Sequence, residues 1–182
     1  MRIISGKRRG KRLLPPAGLL VRPTTDMAKE SLFNILNNHI DFENLRVLDL
    51  FSGTGSIAFE FMSRDAREAV CVELNPKCAA FIKHTASELD FTNLFVIRGD
   101  VFQFIGTKHL PFDLIFADPP YELENISEIP VLVFTNKLLT SEGLLIIEHP
   151  REVDFSSHDG FWQHRVYGKV NFSFFRVNSV QK

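Results

Sequence analysis

In "LDLFSGTGSIA", residues 48–58, an apolar run breaks at two glycines and resumes with helical spacing. Just before and through the break, "RVLDLF" (46–51) is apolar without alternation, the mark of a strand covered on both faces. After it, "GSIAFEFMSR" (55–64) is spaced as a helix. A buried strand that turns through glycine into a helix opens a parallel α/β sheet. Gly53, Gly55 and Ala58 fit the pattern G-x-G-x-x-A, whose glycines allow a tight turn and close backbone approach to a ligand. A dinucleotide site uses the same letters, and a turn that binds nothing needs only the glycines.

Outward from this unit the alternation continues. "AVCVEL" (69–74), "LFVIRG" (94–99), "FDLIFA" (112–117) and "EGLLIIEH" (142–149) read as strands. Between them, "NPKCAAFIKHTASEL" (75–89) reads as a helix capped by Asn75 with Pro76 in its first turn. "ISEIPVLVFTNKLL" (126–139) is mostly helical in spacing, with Pro130 confined to the first turn. Upstream, a helix is expected from about Asp26 to Asn38, capped by Thr25 or Asp26, with Leu32, Phe33, Leu36 and Ile40 as its apolar stripe. The end, "FWQHRVYGKVNFSFFRV" (161–177), shows two extended runs about a glycine, hence an antiparallel hairpin at the sheet edge. The expected fold is α/β: a doubly wound, Rossmann-like, mostly parallel sheet over residues 25–182, closed by an antiparallel C-terminal hairpin and preceded by a small basic extension, 1–24.

That extension carries the charge asymmetry. The first 22 residues hold seven Lys and Arg and no acid, which leaves 14 basic against 22 acidic residues elsewhere. A body of that sign repels polyanions, so a nucleic acid would engage Lys7, Arg8, Arg9, Lys11 and Arg12. A solvated tail is the plain alternative, although the apolar flanks of Gly6 and Gly10 suit a short hairpin. No apolar run approaches the ~20 residues of a membrane span, and "MRIISGKRRGKRLL" lacks a secretory core. With only Cys71 and Cys78 there is no disulfide framework, and a cytoplasmic setting is expected.

Charge also discriminates between ligands of the glycine loop. Asp49 precedes the glycines, where a carboxylate repels a pyrophosphate but attracts an ammonium group. S-adenosylmethionine carries an ammonium on its methionine end and no phosphate, so Asp49 favours it over NAD. Glu73, eighteen residues after Gly55, ends the second strand, where an acid can accept both ribose hydroxyls. Asp100 either accepts from an adenine amine or caps a short helix over "VFQFI" (101–105).

The fourth strand ends unusually, in "FDLIFADPPYE" (112–122). In a doubly wound sheet the first and fourth strands adjoin at the switch point, so Asp49 and Asp118 are expected to flank one cleft. An exocyclic amine of a nucleobase is a weak nucleophile because its lone pair is delocalised into the ring. Acceptors aimed at both its N–H bonds free that lone pair and stabilise the positive charge that develops on methylation. The Asp118 carboxylate and the Pro119 carbonyl can be those acceptors, with Pro120 restricting the backbone and Tyr121 offering a stacking face. Direct displacement needs alignment but no metal and no attacking thiol. Six scattered histidines show no metal-ligand spacing, and both cysteines read as core.

"RPTTDMAKESLFNIL" (22–36), "LDLFSGTGSIAFEFMSRDA" (48–66) and "FADPPY" (116–121) together resemble the RsmD-like family of guanine-N2 methyltransferases, which act on small-subunit (16S) ribosomal RNA in bacteria. The likeness extends over nearly the whole chain, from "ISGKRRGKRL" (4–13) to "RVYGKVNFSFF" (165–175). D-P-P-Y alone is shared with adenine-N6 methyltransferases, and the "RPTTD" block is the more specific piece. The resemblance implies the S-adenosylmethionine-dependent methyltransferase fold. It implies cofactor contacts at Arg22, Thr24, Asp49, Phe51, Gly53, Gly55, Glu73 and Asp100, with Pro23 and Thr25 beside them. It implies catalysis at Asp118, Pro119, Pro120 and Tyr121. The implied partner is 16S rRNA or the small ribosomal subunit as an assembly intermediate, met by a monomer away from any membrane. One departure is Ser63–Arg64–Asp65–Ala66, where the family's S-R-G-A has lost its glycine. The alternatives are an amino methyltransferase acting on adenine N6 of DNA or RNA, a non-catalytic RNA-binding module, and a NAD-linked oxidoreductase. Glu148, at the fifth strand's end, is expected to be structural.

Overall fold

The computed structural model describes residues 1–16 and 26–177, so the expectations for Arg22, Pro23, Thr24 and Thr25 lie outside the described residues. After a folded-back N-terminal segment come α1 (Asp26–Leu36), β1 (Arg46–Leu50), α2 (Ser56–Ser63), β2 (Glu68–Glu73), α3 (Pro76–Glu88), β3 (Leu94–Arg98) and α4 (Val101–Ile105). Then follow β4 (Phe112–Ala117), α5 (Glu128–Thr135), β5 (Leu139–His149), β6 (Phe161–Tyr167) and β7 (Val170–Arg176). The strands form one sheet in the order β3-β2-β1-β4-β5-β7-β6. β1 to β5 are parallel, and β7 pairs antiparallel with both β5 and β6. This is the expected doubly wound sheet with its terminal hairpin. Its switch point lies where β1 meets β2 on one side and β4 on the other.

Each central strand sends alternate side chains to two cores, as the two-residue period of a strand requires. Val47, Phe116 and Ile146 pack with Leu32 of α1, Ile57 of α2 and Ile82 of α3. Leu48, Ile115 and Ile147 pack with Val101 of α4 and Ile129 of α5. Phe172, Phe174 and Phe175 of β7 are buried, so those rings are packing residues. Among the described residues, no helix is long and apolar enough to cross a membrane.

Two helices stop where no glycine marks the stop. α2 ends with Asp65 in the left-handed region, φ +73°. There the Ala66 N–H reaches back to the Phe61 carbonyl and the Asp65 N–H to the Met62 carbonyl. α5 ends likewise on Lys137, φ +53°, with the Leu138 N–H donating to Val133. Both are Schellman closures built on a residue that lacks glycine's freedom. Asp65 thus keeps the turn that the S-R-G-A glycine would make, and its carboxylate also pairs with Lys7. Because α5 closes at Lys137, residues 136–139 are not helical as the spacing predicts, and β5 starts at Leu139 rather than 142. α1 ends at Leu36 rather than Asn38, its last turn tightening through an Asn38 N–H to Ile35 carbonyl bond.

The basic extension is built into the domain. Arg2 bridges Arg12 antiparallel, which folds residues 1–13 back on themselves. A buried network then ties this loop to α1 and α2. Glu60 Oε2 accepts the Ile4 N–H at 2.8 Å, and Oε1 accepts the Ser5 N–H at 2.9 Å and Arg64 Nε at 3.0 Å. Buried Lys29 donates to the Arg2 carbonyl at 2.6 Å and to Ser56 Oγ at 3.1 Å, with Glu60 Oε2 at 3.7 Å. Burial lowers the Lys29 pKa, and the Glu60 charge opposes that fall. Glu60→Gln keeps the shape but removes the charge and one acceptor, leaving a buried lysine without its counter-ion. The expected loss is about 2–3 kcal/mol of unfolding free energy in urea titration. A loss below ~0.5 kcal/mol would show that the network holds nothing together.

Candidate active site

A cavity of about 910 Å³ opens at the carboxyl ends of the parallel strands, where open α/β sheets place ligands. Asp49, Phe51, Gly53, Glu73, Asp100, Asp118, Pro119, Pro120 and Tyr121 all line it. The two acidic strand tips, 69 residues apart in sequence numbering, therefore face one space. Their strands are hydrogen-bonded neighbours, with Asp49 opposite Phe116 and Leu50 opposite Ala117.

β1 delivers Asp49 by register. It alternates with Leu48 and Leu50, so it faces away from their core while staying buried. Asp49 Oδ2 accepts the Ala58 N–H of α2 at 3.2 Å, and the Asp49 carbonyl accepts Ser52 Oγ at 2.6 Å. Burial pushes its carboxyl well above the ordinary carboxylate range; the Ala58 bond opposes this, and the Asp118 and Glu73 charges add to it. Phe51 then takes φ +59°, a conformation uncommon for a bulky side chain, at the rim of the site. Its ring meets Phe102 edge-on at 6.5 Å, forming an apolar wall to which both contribute.

Gly53 and Gly55 divide the expected role. Gly53 lines the cavity at φ +53°. Gly55 does not line it. At φ +74°, a side chain there would stand 3.0 Å from Ile82 and 3.1 Å from Phe59, so this glycine serves helix packing, not ligand approach. Glu73 is engaged in shaping the loop: Oε2 accepts the Gly53 N–H and Oε1 the Asn75 N–H, each at 2.7 Å. A carboxylate oxygen has a second acceptor site, so ribose hydroxyls can still be bound. Asp100 caps α4 through Oδ1 and Gln103 N–H at 2.9 Å, and it lines the cavity as well.

At the end of β4, Asp118 is half-buried and Tyr121 exposed. Among the described residues no peptide is cis, and the proline pair turns the chain by restricting φ. The Pro120 carbonyl accepts the Leu123 N–H at 2.9 Å, while the Pro119 carbonyl takes no hydrogen bond from the described residues. Cys71, beside Asp49 in the register, is fully buried, and that burial drives its thiol pKa well up, so it is no nucleophile.

Of the lining residues not singled out as site residues in the sequence, two bear on the chemistry. Phe102 is hidden in a five-residue helix. Glu148 was expected to be structural, yet it lines the cavity at the tip of β5. The signal for it was a carboxylate ending "LLIIEH" one strand beyond Asp118. Of the basic residues expected to meet RNA, Lys7 pairs with Asp65, and Arg8 binds the Leu89 carbonyl and Asp90. Arg9, Lys11 and Arg12 are exposed.

The lining contains six carboxylates (Asp49, Glu73, Asp100, Asp118, Glu122 and Glu148) and, among the described residues, no Lys, Arg or His. Such a site opposes a pyrophosphate and suits a cationic cofactor that offers hydroxyls and an ammonium. The fold is that of the S-adenosylmethionine-dependent methyltransferases. The family model described as Conserved hypothetical protein 95 matches residues 1–176, and the chain belongs to that family, the one its motifs resemble. A candidate rRNA methyltransferase of Bacillus subtilis, YlbH, is 34% identical over 158 residues, covering 85% of each chain. Ribosomal RNA small subunit methyltransferase D of Buchnera aphidicola subsp. Baizongia pistaciae is 33% identical over 81% of this chain and 75% of its own. A solved Escherichia coli structure, yhhF, described as a candidate methyltransferase, superposes with a TM-score of 0.85 at 28% identity, covering 97% of each chain.

Proposed function

We propose that this protein methylates the N2 amine of a guanine in 16S rRNA, with S-adenosylmethionine as donor. The reading is supported chiefly by one observation: Asp49 and Asp118 open into a single cavity whose described lining is acidic and carries no base. When bound, the cofactor would supply an electrophilic sulfonium methyl and, in its neutral thioether, the leaving group. The rest is the chain's own work. Asp49 holds the ammonium end, Glu73 the ribose, and Asp100 the adenine amine beside the Phe51–Phe102 wall. On the acceptor side, Asp118 and the Pro119 carbonyl take the two N2–H bonds and stabilise positive charge as it forms on nitrogen. One N2 proton then leaves through Asp118. Tyr121 stacks on the base, which has to leave its helix to reach the site. The reaction runs in the cytoplasm, on rRNA or an assembling small subunit.

Mapping modified bases in rRNA from a strain lacking the gene, with and without complementation, tests the proposal. One N2-methylguanine of 16S rRNA should vanish and return. Loss of an N6-methyladenine instead would establish the adenine alternative. Purified protein offered naked 16S rRNA and assembled subunits then identifies the substrate form.

Because Lys7 and Arg8 are already paired, the RNA contribution falls to Arg9, Lys11 and Arg12. Changing those three to glutamine should make the slope of log affinity against log salt shallower by about 2. An unchanged slope would exclude the arm from binding.

A further inference from the structure

We propose that Glu148 is a specificity-determining residue that accepts the N1–H of the target guanine and thereby rejects adenine; this rests on the methyl-transfer reading above. The strand order β1-β4-β5 sets Asp49, Asp118 and Glu148 in a row across the cavity. Ala117 pairs with Ile147, so Asp118 and Glu148 follow side by side on strands about 4.8 Å apart. Alternation decides direction. Val47 and Ile146 enter the same core, so Asp49 and Glu148, each two residues further on, rise on the same face of the sheet.

Glu148 is only 5% exposed, yet it lines the cavity together with Val170 at the start of β7. It therefore sits on the side of Asp118 away from Asp49, and so away from the cofactor end. That is where the ring of the accepted base must lie.

The ring edge of guanine presents two kinds of donor side by side, N1–H and the N2 amine. Paired carboxylates complement that edge, Asp118 at the amine and Glu148 at N1–H. Adenine presents a lone pair at N1 beside its N6 amine. A buried carboxylate facing that lone pair is left without its hydrogen bond and is repelled, which costs more than a missing contact.

2-Aminopurine separates the two edges, because it keeps the C2 amine but offers only a lone pair at N1. An RNA carrying it at the mapped guanine is compared with the guanine RNA by kcat/KM of methyl transfer. The wild-type protein should prefer guanine by on the order of 10²-fold or more. In Glu148→Gln, whose amide can donate to a bare N1, the preference should shrink to within about tenfold. Because 2-aminopurine also lacks O6, it is the collapse of the ratio that isolates the N1 contact.

A wild-type ratio near one overturns the inference. So does a Glu148→Gln protein that binds cofactor normally but keeps the wild-type ratio or loses both substrates equally, the mark of a structural role. Should Glu148→Gln fail to bind cofactor, Glu148→Asp carries the test. Its carboxylate is drawn back from N1, so the ratio should also narrow, and an unchanged ratio refutes the contact. Methylation of an adenine control, with neither 2-amino purine accepted, would instead bring down the guanine reading itself.

Discussion

Asp118→Ala is expected to lower kcat by about 10³-fold while S-adenosylmethionine still binds within a few-fold of its wild-type Kd. The carboxylate stands at the tip of β4, beside β1, and lines the cavity; the proposed reaction puts the acceptor amine over it and the cofactor over β1. Its interaction with the amine strengthens as positive charge develops on nitrogen, so it belongs to the transition state more than to the ground state. Removing one such preorganised group typically costs ~2.7–4 kcal/mol. Asp118→Asn divides that figure. The amide oxygen still accepts one N–H but carries no charge, so a loss of about 10–10²-fold would assign the remainder to charge. Single-turnover rates at saturating cofactor and RNA isolate the step from binding. A variant with normal turnover and weakened cofactor affinity would move Asp118 out of catalysis and into binding.

Which parts of this arrangement could be read in advance follows from the range of the forces involved. β1 and β4 were legible because unbroken apolar runs such as "LIFA" have no reading other than burial on both faces, and their order follows from chain topology. With the order came the meeting of Asp49 and Asp118. Helix ends were less legible. Asp65 and Lys137 take the left-handed turn that glycine usually signals, because tertiary packing and back-reaching hydrogen bonds offset its cost. Gly55 shows the converse. A glycine inside a ligand-binding pattern is required by Phe59, one turn along its own helix, and by Ile82, which comes close only after α3 has packed against it. Buried charge was the least legible of all. Lys29 and Glu60 have the letters of a solvated helix face, and only the returning N-terminal loop encloses them. The same blindness hid Glu148, whose meaning depends on the strand beside it and not on its own neighbours in the chain.

Asp49→Asn should weaken S-adenosylmethionine by two to three orders of magnitude, about 3–4 kcal/mol, and at the same time stabilise the protein without ligand. The amide oxygen can keep the Ala58 N–H, so the glycine loop retains its shape while the charge is lost. Burial is what raises the Asp49 pKa, with Asp118 and Glu73 adding repulsion. In the free protein this carboxyl therefore holds a proton into a pH range where the unfolded chain has lost it. The folded state binds more protons there, so stability declines as pH rises through the raised pKa. Asparagine removes that decline. Each kcal/mol recovered at neutral pH is worth about 2–4 °C in Tm for a chain of this size. Cofactor binding has the opposite sign. The ammonium requires the ionised carboxylate, so wild-type affinity should climb with pH up to the raised pKa, by at most about tenfold per pH unit, and be flat in the variant. Methylthioadenosine, which lacks the amino-acid end, should bind both proteins equally. If it suffers the same loss as S-adenosylmethionine, the defect lies in the folding of the loop, and Asp49 does not hold the ammonium.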